Sequence, residues 1–492
     1  MHLCNDRHSK LNPSLVADVR HPATTDEVAA AIRQAARDGL AVSICGARHA
    51  MGGQQFGADT VLLDLTRLDH VGDLDSIHGT IDAGAGVKWP QLIKTLQTRQ
   101  AGSKTVWSIR QKQTGADELT LGGALAANIH GRGLRMRPII DDIEAFTLVD
   151  AAGRILECSR SENSDWFRLV IGGYGLFGVV TSVRLRLAPR VKLERRVEIT
   201  TIDRFLPLID LRMTQGAMFG DFQFSIDEKS PDFLRRGVFS CYLPVARERD
   251  MTGPRDELGS DRWREMIGLA HRDRAAVFDE YSSFYLRTDG GLYWSDTHQL
   301  SVYVDDYHQE IDHACGAKTP ASEMISELYV RRQHLVRFMH QSAEMLRTSG
   351  VPLIYGTVRL ILRDDESFLS WARQDYACII FNLHTDHTPQ AIGQTADTFR
   401  KLIDLALAHG GSYYLTYHRW ARRDQVERAH PRFREFLKLK DAMDPKAVFQ
   451  SDWWRHHRAL FAEPGRSMNR PPVDGEFAGS PSGHPSDIQS PI

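Results

Sequence analysis

Residues Leu40 to Cys45 form an apolar, β-rich run that passes straight into Gly46-Ala47-Arg48-His49-Ala50-Met51-Gly52-Gly53-Gln54. This junction constrains the chain more than any other stretch, because a strand ending in a glycine loop fixes where the backbone must turn. Gly46 admits a positive φ, and Gly52 and Gly53 let backbone amides approach a partner with no Cβ in the way. Successive N–H groups in such a turn make a concave anion site, to which Arg48 adds charge. A phosphate-bearing ligand suits it. The loop is not a Walker loop, since no Gly-Lys-Ser/Thr follows, and it lacks the Gly-x-Gly-x-x-Gly spacing of a dinucleotide fold. Taken alone, it also reads as a plain tight turn, and His49 as a hydrogen-bonded structural histidine.

The surrounding pattern alternates helix and strand. Thr24-Thr25-Asp26-Glu27 is a capping-box sequence, followed by Val28, Ala31, Ile32 and Ala35 at helical spacing and closed by Gly39. Val61 to Leu65 and Ile77 to Gly86 read as strands, and Trp89 to Leu96 as a helix. A second glycine segment, Thr120-Leu121-Gly122-Gly123 to His130-Gly131, permits a helix start that presses on a flat ligand and leaves N–H groups for phosphate. Ile143 to Val149 and Arg154 to Cys158 flank Asp150-Ala-Ala-Gly153, a hairpin signal. Glu162 to Val170 is helical. A third segment, Gly172-Gly173-Tyr174-Gly175-Leu176-Phe177-Gly178-Val179-Val180, feeds a strand in which Val183, Leu185 and Leu187 alternate with Arg184 and Arg186. From about 195 to 430 the glycine loops cease and longer elements follow, among them strands at Leu360 to Leu362 and Cys378 to Leu383. A helix is predicted from Pro389 to Ala408, with Thr388 as its cap and Pro389 in the first helical position.

At 492 residues the chain has room for two or three compact units. With 61 basic against 63 acidic residues and no long basic block, nucleic acid is not an expected partner. No secretory leader pattern and no run of 18 apolar residues is present, so a cytoplasmic protein without a transmembrane segment is expected. The six cysteines show no paired spacing, which argues against disulfides and zinc clusters. His384-x-x-His387 and Asp305-Asp306-x-His308 invite a metal reading, but neither has a third and fourth ligand at a suitable offset, and no metal is expected. The stretch 463 to 492 holds six of the twenty prolines, with almost no aliphatic residues, and is predicted to be a disordered tail.

The three glycine segments, in this order, resemble the flavin-binding half of the vanillyl-alcohol-oxidase family, the PCMH-type FAD-linked oxidoreductases, in its aldonolactone oxidase and decaprenylphosphoryl-ribose oxidase branch. The resemblance implies an α+β architecture: a two-subdomain FAD-binding domain over 14 to 190 and a substrate-binding domain over 195 to 430, with a sheet covered by helices. The segment 431 to 462, with Met443-Asp444-Pro445-Lys446-Ala447-Val448-Phe449-Gln450-Ser451-Asp452, is similar to the family's closing segment, which returns to the flavin domain. FAD is the implied cofactor. Its implied contacts are Gly46, Ala47, Arg48, His49, Ala50 and Gln54 in the first segment, Thr120, Gly122, Gly123, His130 and Gly131 in the second, and Gly175 and Val179 in the third. In that family the histidine matching His49 often bonds covalently to the flavin. Here Arg48 stands where glycine is usual and Ala50 where serine is usual.

A flavin enzyme of this kind implies oxidation of a CH–OH group of a polar alcohol, sugar, alditol or lactone, with hydride passing to flavin N5 and electrons onward to oxygen or a redox partner. A group within hydrogen-bond reach must take the hydroxyl proton. Thr357-Val358-Arg359 resembles a Glu-x-Arg strand of alditol and aldonolactone oxidases with threonine in place of the acid. It makes Arg359 a charge stabiliser or else a solvated strand arginine. The segment Ser412 to Arg422 stands where relatives place substrate-facing residues: Tyr414 matches a tyrosine of the decaprenylphosphoryl-ribose oxidases, and Tyr417 and His418 are the candidate bases, although a run of aromatics also serves packing. The alternatives are cytokinin-dehydrogenase-like oxidation of a C–N bond and a flavin-binding module without catalysis.

Overall fold

The computed structural model describes residues 1–115, 117–251, 258–301 and 307–462, so the predicted tail lies outside the described residues. The first helix forms at Thr25–Arg37, with Thr24 Oγ1 accepting from the Glu27 N–H. The Glu27 carboxylate reaches back to the Ala23 N–H rather than to that of Thr24, so the reciprocal bond falls one residue outside the expected box. Val28, Ile32 and Ala35 on its inner face pack against Val42, Val61 and Leu63 of a three-stranded parallel sheet ordered Asp18–Arg20, Val61–Asp64, Val42–Cys45. Val42 also pairs in parallel with Phe449, whose ring is 1% exposed. Burying that one ring contributes roughly 1.5–3 kcal/mol. The segment around 449 thereby becomes part of the first unit.

A second, antiparallel sheet follows the order Ile155–Ser159, Ile143–Val149, Val179–Pro189, Thr80–Gly84, Val71–Asp75, with Trp107–Ile109 also pairing with Val179–Pro189. Its central strand shows the alternation of the sequence. Val183, Leu185 and Leu187 are buried, while Arg184 pairs with Asp82 and Arg186 with Glu144 on the outer face. At the hairpin, Asp150 Oδ1 accepts from the N–H groups of Ala152 and Arg154, and Gly153 takes a φ of 74°.

The third sheet has eight antiparallel strands in the order Leu292–Trp294, Lys192–Thr201, Arg236–Val245, Phe219–Phe224, Leu353–Ile361, Tyr376–Asp386, Ala321–Arg331, Ser412–Tyr413. Leu328, Val330, Val358, Leu360 and Phe381 share a core with Phe205, Phe338, Phe399 and Leu402, which come from helices Ile202–Thr214, Leu335–Arg347 and Pro389–Ala408. The last helix starts at the residue its sequence requires, with Thr388 Oγ1 accepting from the Ala391 N–H. The other sheet face carries Glu327, Tyr329, Arg359 and Cys378, since Cys378 is the cross-strand partner of both Tyr329 and Arg359. The architecture is α+β, with a large antiparallel sheet covered by helices. Among the described residues no helix is long and apolar enough to cross a membrane. The cysteines are unpaired thiols, and all but Cys315 are buried.

Candidate functional site

The three glycine segments converge on one cavity lined by Gly46, Arg48, His49, Thr120, Gly123 and Gly175. A Cβ added to Gly46 would stand 2.2 Å from Thr120 Oγ1, so the first two loops touch at a point where only glycine fits. Gly122 meets Ala85 in the same way, its notional Cβ 2.9 Å from the alanine's. The N–H groups of the second segment are already engaged, which corrects the expectation that they await phosphate. Leu121 N–H donates to Val87 O, Gly122 N–H to Ala85 O, and Gly123 N–H to Thr120 Oγ1. The glycines there serve close packing.

The first loop is held from both sides. Arg48, at the position where glycine is usual, keeps a left-handed backbone at φ 62° and pairs with Asp64 at 3.4 Å. That conformation costs a non-glycine residue on the order of 1 kcal/mol. Gln54 receives the Gly52 N–H on its Oε1, and its Nε2 donates to the carbonyl and hydroxyl of Thr416 at 2.8 and 3.0 Å. One glutamine thus ties the loop to the segment carrying Tyr414 and Tyr417. His49 is 7% exposed, its Nδ1 lies 2.7 Å from His8 Nε2, and burial, with His8, Arg7 and Lys88 adding to it, pushes its pKa down to about 3. The imidazole is therefore neutral. Two buried amide oxygens on the cavity wall, Gln55 Oε1 and Gln113 Oε1, have no hydrogen-bond partner among the described residues, and they suit a ligand rich in N–H and O–H donors.

Tyr414, Thr416 and Tyr417 close one side of the cavity. Behind Tyr417 lies Glu327, 2% exposed and not singled out by the sequence patterns. Its Oε1 meets His130 Nε2 at 2.6 Å, the Tyr329 hydroxyl at 2.6 Å and the Cys378 thiol at 3.3 Å, while its Oε2 accepts from the Tyr417 hydroxyl at 3.1 Å. Burial pushes the carboxyl up, but His130, Tyr329 and Arg359 outweigh it and hold the pKa down at about 2. For Tyr417, burial and the adjacent carboxylate both push the phenol well above its usual range. The pair is an un-ionised phenol on an ionised carboxylate.

Not every expected site residue reaches the cavity. Gly46, Ala47, Arg48, His49, Ala50, Gln54, Thr120, Gly122, Gly123 and Gly175 line it, as do Tyr414 and Tyr417. His130 stands behind the wall on Glu327, and Gly131 packs on Lys112, where a Cβ would sit 2.6 Å from the backbone oxygen. Val179 is fully buried in the core beside Val28 and Phe449, and its neighbour Val180 lines the cavity instead. His418 turns away: its ring centroid lies 3.2 Å from that of Phe399, and it stacks on Trp420. Tyr414 spends its hydroxyl on the Ala127 carbonyl at 2.6 Å. Arg359 lies on the face of Glu327 one strand beyond Cys378, and its Nε has no hydrogen-bond partner among the described residues. A signal for Glu327 exists in the sequence. In the alternating run Glu323-Met324-Ile325-Ser326-Glu327-Leu328-Tyr329, two carboxylates four apart occupy one face of a strand.

Residues 16–159 match the family described as the FAD binding domain. This is a PCMH-type FAD-binding domain. The residues of its cavity fit that cofactor: a close-packed glycine cradle, the loop at His49 and two unpartnered amide oxygens. The chain is accordingly an FAD-linked oxidoreductase. L-Gulono-1,4-lactone dehydrogenase of Mycobacterium tuberculosis is 23% identical over 437 residues, 88% of this chain and 94% of that protein. An uncharacterized oxidoreductase from the fasciation locus of Rhodococcoides fascians is 32% identical over 166 residues, and cytokinin dehydrogenase 9 of Oryza sativa subsp. japonica is 28% identical over 192. In these two the match spans 36% of the relative's own length, and 34% and 38% of this chain.

Proposed function

We propose that this flavoprotein oxidises the CH–OH carbon of a polar alcohol, sugar, alditol or lactone. The observation that carries the reading is Tyr417, which lines the FAD cavity while its hydroxyl donates to the buried carboxylate of Glu327. FAD supplies, when bound, the acceptor for the hydride. The chain supplies the path of the proton. A substrate hydroxyl in the cavity donates to Tyr417 Oη, whose own proton already points at Glu327 Oε2. As the substrate proton reaches Oη, the phenolic proton passes to the carboxylate, so no phenolate has to form where burial disfavours it. His130 and Tyr329 hold the carboxylate in place through Oε1, and Arg359 adds positive charge that keeps it ionised.

His49 is assigned as the flavin tether, since its neutral ring keeps a nitrogen lone pair for bond formation. A relative named for a lactone aligns along 88% of this chain, which supports CH–OH chemistry over the C–N chemistry of relatives that share about a third. The test is an anaerobic panel of alcohols, lactones and amines, followed by bleaching of the yellow flavin. Bleaching by an alcohol or lactone is expected. Bleaching by amines alone makes the protein an amine oxidoreductase, with Glu327 the proton acceptor, and no bleaching by any class leaves a binding module.

A further inference from the structure

Four residues along the same strand from Glu327, and so about 13 Å away on the same sheet face, stands a second buried carboxylate, Glu323. Three histidines from separate elements surround it. His271 ends helix Ser260–Arg272, His308 opens helix Tyr307–Ala314, and His384 lies on strand Tyr376–Asp386. His308 and His384 belong to the two short motifs whose spacing offered too few ligands, and the fold supplies what the spacing lacked. Asp305 and Asp306 of the first motif lie outside the described residues.

His271 Nε2 is 3.2 Å and His384 Nδ1 3.1 Å from the same oxygen, Glu323 Oε1, and the three ligand atoms all lie within 4.8 Å of one another. Ligands at the ~2.0–2.1 Å bond lengths of tetrahedral zinc stand roughly 3.3 Å apart, close to these two spacings. The two imidazoles meet edge to face at 83°, with ring centroids 4.8 Å apart. The side chain of His271 is 6% exposed, and its Nε2 lies near Oε1 without the alignment of a hydrogen bond. A buried nitrogen so placed has a carboxylate beside it but no aligned acceptor, and a cation between the three atoms would satisfy it. The second carboxylate oxygen, Oε2, receives the Tyr307 hydroxyl at 2.6 Å and lies 3.0 Å from His308 Nδ1, which fixes its orientation in the way outer partners fix ligating carboxylates.

The geometry points to a divalent transition-metal site of the zinc type, with His271, His384 and Glu323 as ligands and His308 and Tyr307 as supports. Two imidazoles and one carboxylate suit zinc, whereas calcium and magnesium call for more oxygen donors. Three protein ligands leave a fourth position for water or an oxygen of a small molecule. Glu323 and Tyr307 also line a cavity of about 230 Å³ with Gln223, Tyr281, Tyr355 and Asn382. The site is independent of the chemistry at Tyr417.

The full-length flavoprotein, stripped with a chelator and dialysed against Zn²⁺, is expected to retain one zinc per chain. His271→Ala and His384→Ala, with flavin content unchanged, should each weaken binding by more than tenfold, and His308→Ala by about tenfold, the low end of the range for an outer partner. Zinc-soaked crystals of the wild type give a reading that needs no variant: an anomalous peak bounded by His271, Glu323 and His384 supports the site. No retained zinc, undiminished affinity in both ligand variants, or a peak elsewhere overturns it.

Discussion

Replacing Tyr417 by Phe removes one oxygen atom and leaves the ring in place, edge-on to Tyr414 with centroids 5.5 Å apart. Two effects follow, of different size. The hydrogen bond lost from Glu327 Oε2 has a charged acceptor, a class that contributes about 1.5–3 kcal/mol to the folded state. The rate loses the relay atom, an effect of about 10²–10⁴-fold, or roughly 2.7–5.5 kcal/mol on the barrier. Tyr414→Phe is the matched control, since its hydroxyl is bound to the Ala127 carbonyl; the expected loss is about 0.5–1.5 kcal/mol of stability. Both variants should be mixed anaerobically with the best alcohol or lactone of the panel, with flavin absorbance followed by stopped flow. The limiting rate of Tyr417→Phe should fall at least ~100-fold while half-saturation moves less than ~10-fold, and Tyr414→Phe should stay within ~10-fold of wild type on both. A Tyr417→Phe rate near wild type, or an equal fall in the control, would refute the relay.

Acid-precipitated wild type should stay yellow through a bond at His49, and His49→Ala should release its flavin to the supernatant; colour lost from the wild type ends the tether assignment. Because the folded pKa of Glu327 is depressed to about 2 from 4.5, its contribution of about 3 kcal/mol is complete above pH 4.5 and vanishes as pH falls through 2. The melting temperatures of wild type and Glu327→Gln should therefore converge across that window, and a constant gap counts against a charged Glu327. Arg48→Gly should leave stability within about 1 kcal/mol, since relief of the left-handed backbone offsets the lost Asp64 pair, whereas β-branched Arg48→Val should be clearly destabilising in thermal melts. Equal melts for the two variants would show that the backbone there is unstrained.

Local signals made the flavin half legible. Thr388 and Pro389 start a helix wherever they stand before an amphipathic run, and a glycine pair beside small residues marks close packing in any fold. The relay was not legible, because Glu327 meets Tyr417 and His130 across 90 and 197 residues of chain. Spacing along the chain says nothing about such meetings. Tyr417 and His418 are neighbours in sequence, yet the first enters the cavity and the second packs on Phe399. The same limit hid the histidines around Glu323, each of which looks solitary within its own motif.

The parallel pairing of Val42 with Phe449 sets a timetable for synthesis. A growing chain has the first glycine loop in hand about four hundred residues before residue 449 arrives, and until then the edge of its sheet stays open. Trp453, which packs against Tyr174 at 4.9 Å beneath the cavity wall, arrives later still. Until then Val42 keeps an unpaired edge and the apolar faces that later meet Val448 and Phe449 stay uncovered, a state prone to aggregation. The unit that holds the glycine loops is completed only by residues that follow the large sheet, and a fragment ending at residue 190 would carry all three glycine segments without the bridge at Phe449 that closes the sheet edge.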